Sequence, residues 1–250
     1  MTMGLRAVAR VFTLSFGQLL RSRRSVFLAL LVGAPVLIAL AIRLATASLG
    51  PFRMSGTGAG VAVFSTMMSL LYVRFIVPVM GVFAGTALIA DEVDDKTITY
   101  LFTRPIPRRA VLVGKYLAYL ASATLLVLPS AVLSFLFLVP LGDASSALPA
   151  LMADLAMLAA GLVAYGAVFA LVGAGMKRPL TIGLVFAFGW EPLAQWLPGS
   201  LNRLTVSYYL HAFRDAPAFW TPAIQLAGIA VVTLWLAART VEQREYVLEQ

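Results

Sequence analysis

The sequence predicts an all-α integral membrane protein of six transmembrane helices, and three observations carry that prediction. Of the 250 residues, 61% are hydrophobic and 12% charged, with a mean hydropathy of +0.91. That is far from the balance of a soluble domain. Six apolar runs are candidates to cross a bilayer core about 30 Å thick, which takes roughly 20 helical residues. They are 26–45, 61–90, 110–139, 151–176, 180–190 and 221–238, the fifth being short. The third observation is where the 19 basic residues fall. Arg6, Arg10, Arg21, Arg23 and Arg24 precede the first run, and Lys96, Arg104, Arg108, Arg109 and Lys115 lie in or beside the connection from second to third. Lys177 and Arg178 separate the fourth from the fifth, and Arg239 and Arg244 close the chain. Six crossings bring all four groups to one side, which the positive-inside rule makes the cytoplasm, with both termini there.

The same rule accounts for a formal charge of +8 and a pI near 10.2 without nucleic acid as a partner. With no cysteine and the single histidine His211, no thiolate cluster, disulfide framework or His-rich metal site is expected. The N-terminal arginines and the length of the first run argue against a cleavable signal peptide.

Taken in order, residues 1–24 predict an amphipathic interface helix. Leu5, Val8, Phe12, Phe16 and Leu19 recur at helical spacing beside a polar stripe of Arg6, Arg10, Thr13, Gly17 and Arg21. Such a helix lies on the inner leaflet, as a surface anchor or also as a contact for a cytoplasmic partner. Arg43 on the first span and Arg74 on the second both fall near the outer interface. There they snorkel to headgroups or meet an anionic or amphipathic substrate.

Between the second and third spans stands DEVDDKTITYLFTRPIPRRAVLVGK, the one long polar interruption. Asp91, Glu92, Asp94 and Asp95 suit the first turn of a short helix, where negative charge meets exposed N–H groups. Thr97 lies within it, and Pro105 and Pro107 stop it. Its apolar centre, Tyr100, Leu101 and Phe102, is followed by Arg104, Arg108 and Arg109, an arrangement a solvated loop seldom shows. Gly114-Lys115 is not the end of a phosphate-binding loop, because Arg109 and Tyr116 stand where that loop needs Gly and Ser or Thr. Lys115 is instead expected to snorkel to water.

Asp154 falls near the outer end of the fourth span and is expected to be wet. The fifth span rises about a dozen residues, roughly 18 Å, before Pro192 is expected to force Glu191 out of the helix, still short of the outer surface. Residues 191–220 then predict an outer re-entrant hairpin, folded over 194–213, with His211 as a polar member. Trp190, Trp196, Tyr208, Tyr209, Phe219 and Trp220 serve as interfacial aromatics, or less simply as a substrate cage. Glu191 has two readings. It accepts hydrogen bonds from freed backbone N–H groups or pairs with Arg43, Arg74 or Arg203, or else it lines a transport path or outer gate together with Arg43 and Arg74.

The segment GTALIADEVDDKTITYLFTRPIPRRAVLVGKYLA resembles the signature of ABC-2 type transporter permeases: a span ending in small residues, an acidic pair, a Thr-containing helix ending in a proline turn, a basic pair, then Gly-Lys. The stretch WEPLAQWLPGSLNRLTVSYYL is similar to the region after the fifth span in one branch of that family. The resemblance implies a transmembrane subunit of an ATP-binding cassette transporter, an exporter moving an unidentified substrate. Residues 1–250 would form one transmembrane domain, paired with a second copy or a related permease and driven by two copies of a cytoplasmic ATPase. ATP and magnesium would reside on that partner, the permease itself being no enzyme and binding no cofactor directly. Residues 91–107 would be the coupling helix, with Asp91, Glu92, Asp95, Thr97, Tyr100, Leu101, Phe102, Arg104 and Pro105 against the ATPase. The expected location is the cytoplasmic membrane of a bacterium or archaeon. Two alternatives stay open. One is an intramembrane prenyltransferase-like enzyme, holding diphosphate through magnesium on the acidic cluster 91–95, although no second acidic cluster accompanies it. The other is a secondary transporter.

Overall fold

The structure, a computed structural model, describes residues 2–21, 23–48, 58–89, 108–196, 201–215 and 220–243. Every regular element among them is helical. The segment 91–107, expected to be the coupling helix, and all nine residues expected to contact the ATPase lie outside the described residues.

Helix α1 (Thr2–Arg21) is the amphipathic segment. It rests chiefly on α4 (Arg108–Leu138), with a smaller contact to α2 (Arg23–Ser48). Val8, Val11, Ser15 and Leu19 turn inward, while Arg10, Thr13, Leu14 and Gly17 stay out. The helices approach so closely that a Cβ on Gly114 would stand 2.9 Å from the Val11 side chain. Beside it Lys115 is only 9% exposed, against the expectation that it snorkels to water, because α1 covers that end of α4.

Helix α3 (Ala59–Ile89) changes pitch twice, widening to π-helix over Met68–Ile76 and again over Gly81–Gly85. The first widening ends just before Pro78. A proline lacks the N–H a regular turn would use, and its ring presses on the carbonyl four residues back, here that of Arg74. A π-turn moves that carbonyl aside and lets the helix continue.

The next helix, α5 (Leu141–Gly175), is the axis of the bundle, contacting α3, α4, α6, α7 and α8. It begins ten residues before the apolar run at 151, directly after the extended Pro140. Asp143 in its first turn and the alanines at 144, 147 and 150 favour helix although the segment is too polar to register as a span. On this helix Leu151, Asp154, Met157, Leu158 and Gly161 share one buried stripe. Asp154, expected in water, is therefore 2% exposed.

The fifth predicted span forms α6 (179–196), built from an α-helical turn Pro179–Val185, a π segment Phe186–Trp190 and a second α-helical piece Glu191–Trp196. Here the expectation of a break at Glu191 fails. Glu191 is helical, with φ −61° and ψ −47°, and the chain continues through Pro192. As at Pro78, a π segment precedes the proline and takes up the carbonyl, that of Phe188, which the ring would strike. The two widened segments touch through Phe75 and Phe188, whose rings lie 5.6 Å apart. After a 3₁₀ turn at Leu201–Leu204 come α7 (Val206–Asp215) and α8 (Trp220–Gln243), α8 applying Pro222, Leu226, Ala230, Ala237 and Val241 to the bundle.

Among the described residues five helices are long and apolar enough to cross a membrane, namely α2, α3, α4, α5 and α8. The sixth crossing drawn from the sequence corresponds to α6, which is shorter, carries Glu191 and is not among those five. Polar ties bind the bundle where packing alone would let helices slide. Tyr72 bonds Ser130 at 2.7 Å and Ser134 at 3.0 Å, and Ser130 donates to the Val32 carbonyl at 2.6 Å, joining α2, α3 and α4. Tyr116 and Tyr119 donate to the carbonyls of Val163 and Leu162, joining α4 to α5. Arg109 forms a two-pronged pair with Glu242, so the start of α4 and the end of α8 share one end of the molecule with the α1 contact at Gly114.

Candidate functional site

The site is built where α7 starts inside the bundle. A helix N-terminus presents backbone N–H groups with no partner in their own helix, and burying them unpaired is costly. Val206 is 3% exposed, Thr205 1% and Ser207 4%. Thr205 serves as the local cap, its hydroxyl accepting from the Tyr208 N–H at 3.3 Å while itself donating to the Asn202 carbonyl at 2.6 Å. The first N–H needs an acceptor from elsewhere, and α6 supplies it. Glu191 Oε1 accepts from the Val206 N–H at 3.0 Å, and Ser207 stands beside the same carboxylate.

The other carboxylate oxygen faces α5. Tyr165, wholly buried, donates its hydroxyl to Glu191 Oε2. Glu191 itself is 3% exposed. A buried carboxylate is tolerated where several donors converge on it, and here it also sits at the positive end of the α7 dipole. A second link runs from α6 to α7, the Gln195 amide donating to the Ser207 hydroxyl at 2.9 Å. One residue thus holds three elements, α5, α6 and the start of α7.

Arg43 and Arg74 do not join this site. The Arg43 guanidinium donates to the Phe137 carbonyl at 3.2 Å and borders a groove of about 460 Å³ between the ends of α2 and α4, lined also by Thr46, Leu138 and Leu141. Arg74 lies on the exposed side of α3, within its first π segment. Of the predicted interfacial aromatics, Trp196 and Trp220 are 87% and 66% exposed, and Tyr208 and Tyr209 pack edge to face with centroids 5.2 Å apart. No three His, Cys, Asp or Glu side chains converge among the described residues in a way that would hold a metal ion.

Residues 9–211 match the family model described as ABC-2 family transporter protein. The chain belongs to the ABC-2 transporter family. A comparison with curated proteins gave no match. As an ABC-2 family member it is a multi-pass membrane permease of ABC transport, a transport component rather than an enzyme. The matched region ends inside α7 and so takes in α5, α6 and the Glu191 site. Sequence reasoning singled out Glu191 in this ABC-2 chain but missed Tyr165, Thr205 and Ser207. The available signal was a tyrosine placed without flanking polar residues in the apolar run LVAYGAVFA, where a hydroxyl needs a partner.

Proposed function

We propose that the chain is the permease half of an ATP-driven exporter. It works as a pair with a second copy or a related permease, and two cytoplasmic ATPase subunits carry the ATP and magnesium. The observation that carries this reading is the family match across four-fifths of the chain. The bundle's layout supports it. Helix α3 runs down to Ile89 and α4 starts at Arg108, so the segment 91–107 links two helices that are both packed against the central α5. Force applied to that segment would reach the core of the bundle directly.

In this reading Asp91, Glu92, Asp95, Thr97, Tyr100, Leu101, Phe102, Arg104 and Pro105 form the ATPase contact. The basic end of the bundle, with both termini, faces the cytoplasm of a bacterium or archaeon. Residues 191–220 form an outer re-entrant hairpin, Glu191 fixes the hairpin beside the transport path, and Arg43 and Arg74 lie toward the outer leaflet.

The decisive experiment copurifies the permease with its ATPase from native membranes and repeats this with Leu101→Asp. A charge placed in a closed apolar cleft is strongly unfavourable. The variant is expected to insert and fold normally while losing the ATPase. Full retention of the ATPase together with unchanged ATP turnover would overturn the assignment.

A further inference from the structure

We infer that Tyr165 is a positioning residue that ties the 81–89 end of α3 to the start of α7, so that movement of one is felt by the other. The line of contact has no slack at any step. At its lower end a Cβ on Gly173 would lie 2.4 Å from the Thr86 carbonyl oxygen, so α3 and α5 meet backbone to backbone. One turn nearer the site, a Cβ on Gly85 would lie 3.1 Å from the Phe169 Cβ. At Gly81 it would meet the Phe169 ring at 2.7 Å and the Tyr165 Cβ at 2.9 Å. No side chain lies between α3 and the root of Tyr165.

The Tyr165 ring is fully buried and stacks on that of Phe169, one turn further along α5, with centroids 6.0 Å and planes 11° apart. A ring clamped in this way transmits displacement of its root to its hydroxyl instead of absorbing it by changing rotamer. That hydroxyl ends on Glu191 Oε2, and Glu191 Oε1 holds the Val206 N–H. O–H···O bonds work within roughly half an ångström, about 2.5–3.0 Å, so a shift of about 1 Å at Tyr165 breaks the tie. Close packing makes this linkage two-state in character, since the α3–α5 contact cannot be compressed. The bearing of the tie on transport rests on the proposed function. The tie itself concerns the permease alone.

The test therefore omits the ATPase. Amide hydrogen exchange is followed by mass spectrometry on the full chain in lipid nanodiscs, in peptides covering 206–210, with α8 as the internal control. Gly81→Ala pushes on Tyr165 and is expected to speed exchange at 206–208 about tenfold, the usual size of coupling between residues in one network. In a Tyr165→Phe background exchange there starts fast, and Gly81→Ala adds nothing. Should Gly81→Ala not fold, Phe169→Leu, which removes the clamp, is expected to give the same pattern. An equal effect in both backgrounds, or none in either, overturns the inference. Such a result leaves the permease reading standing, because that reading is decided by ATPase binding at Leu101.

Discussion

At Glu191 two opposing costs decide the outcome. Desolvating a carboxylate is unfavourable, but removing it leaves the Tyr165 hydroxyl and the Val206 N–H buried without an acceptor, at about 1–3 kcal/mol for each donor. Glu191→Ala is thus predicted to lower the thermal unfolding midpoint in detergent well below wild type, whereas Glu191→Gln keeps one acceptor oxygen and should lose much less. Equal losses in the two variants would contradict this account. A second pair of single changes separates packing from conformation. Gly173→Ala drives a methyl into the Thr86 backbone and should cost about 1–3 kcal/mol. Gly228, with nothing within 4 Å, should accept Ala without loss. Denaturation of the two variants side by side checks the contrast. The sequence made Glu191 visible because a carboxylate stands out in an apolar run. It left Tyr165 hidden because that residue lies 26 positions away on a helix whose period says only that the position is buried.

Among elements, the instructive case is the pair of π segments before Pro78 and Pro192. Proline alone predicts a break, at Pro192 of α6 as at Pro78 of α3. The chain instead spends one extra residue in a wider turn and continues as a helix, which the proline does not encode locally. Helix–helix ties also divide by environment. The bond set of Tyr72 with Ser130 and Ser134 is buried, so Tyr72→Phe should cost about 0.6–2 kcal/mol, the span found for hydrogen bonds inside membrane bundles. The Arg109–Glu242 pair is largely exposed, with side chains 61% and 35% accessible. It is screened by water and salt, and Arg109→Ala should leave the unfolding midpoint almost unchanged. Measuring both in the same detergent tests the ranking. A larger loss from Arg109→Ala than from Tyr72→Phe would reverse it.

For the whole molecule, the helices α2, α3, α4, α5 and α8 were legible to within a few residues at most ends, because hydropathy and length report what a bilayer requires. Contacts between helices were not, since they depend on which glycines face which neighbours. Several apolar side chains still point outward, among them Leu30 at 69% and Leu37 at 66% on α2, and Ile224 at 69% and Val231 at 67% on α8. Lipid or a second permease covers such faces. The permease is predicted to run as a dimer in gentle detergent and to cross-link as one in membranes, with a monomer in both experiments counting against the paired architecture. The seating of α1 on α4 has a consequence for biogenesis. Helix α1 leaves the ribosome before α4, and Gly114, which receives Val11, is made about a hundred residues later, a delay of about 5–20 s at ordinary rates of synthesis. During that interval, of the two helices it chiefly packs on, α2 alone has been made. Its apolar stripe suits it to wait at the membrane surface until α4 is inserted, so the amphipathic pattern serves a nascent intermediate as well as the finished protein.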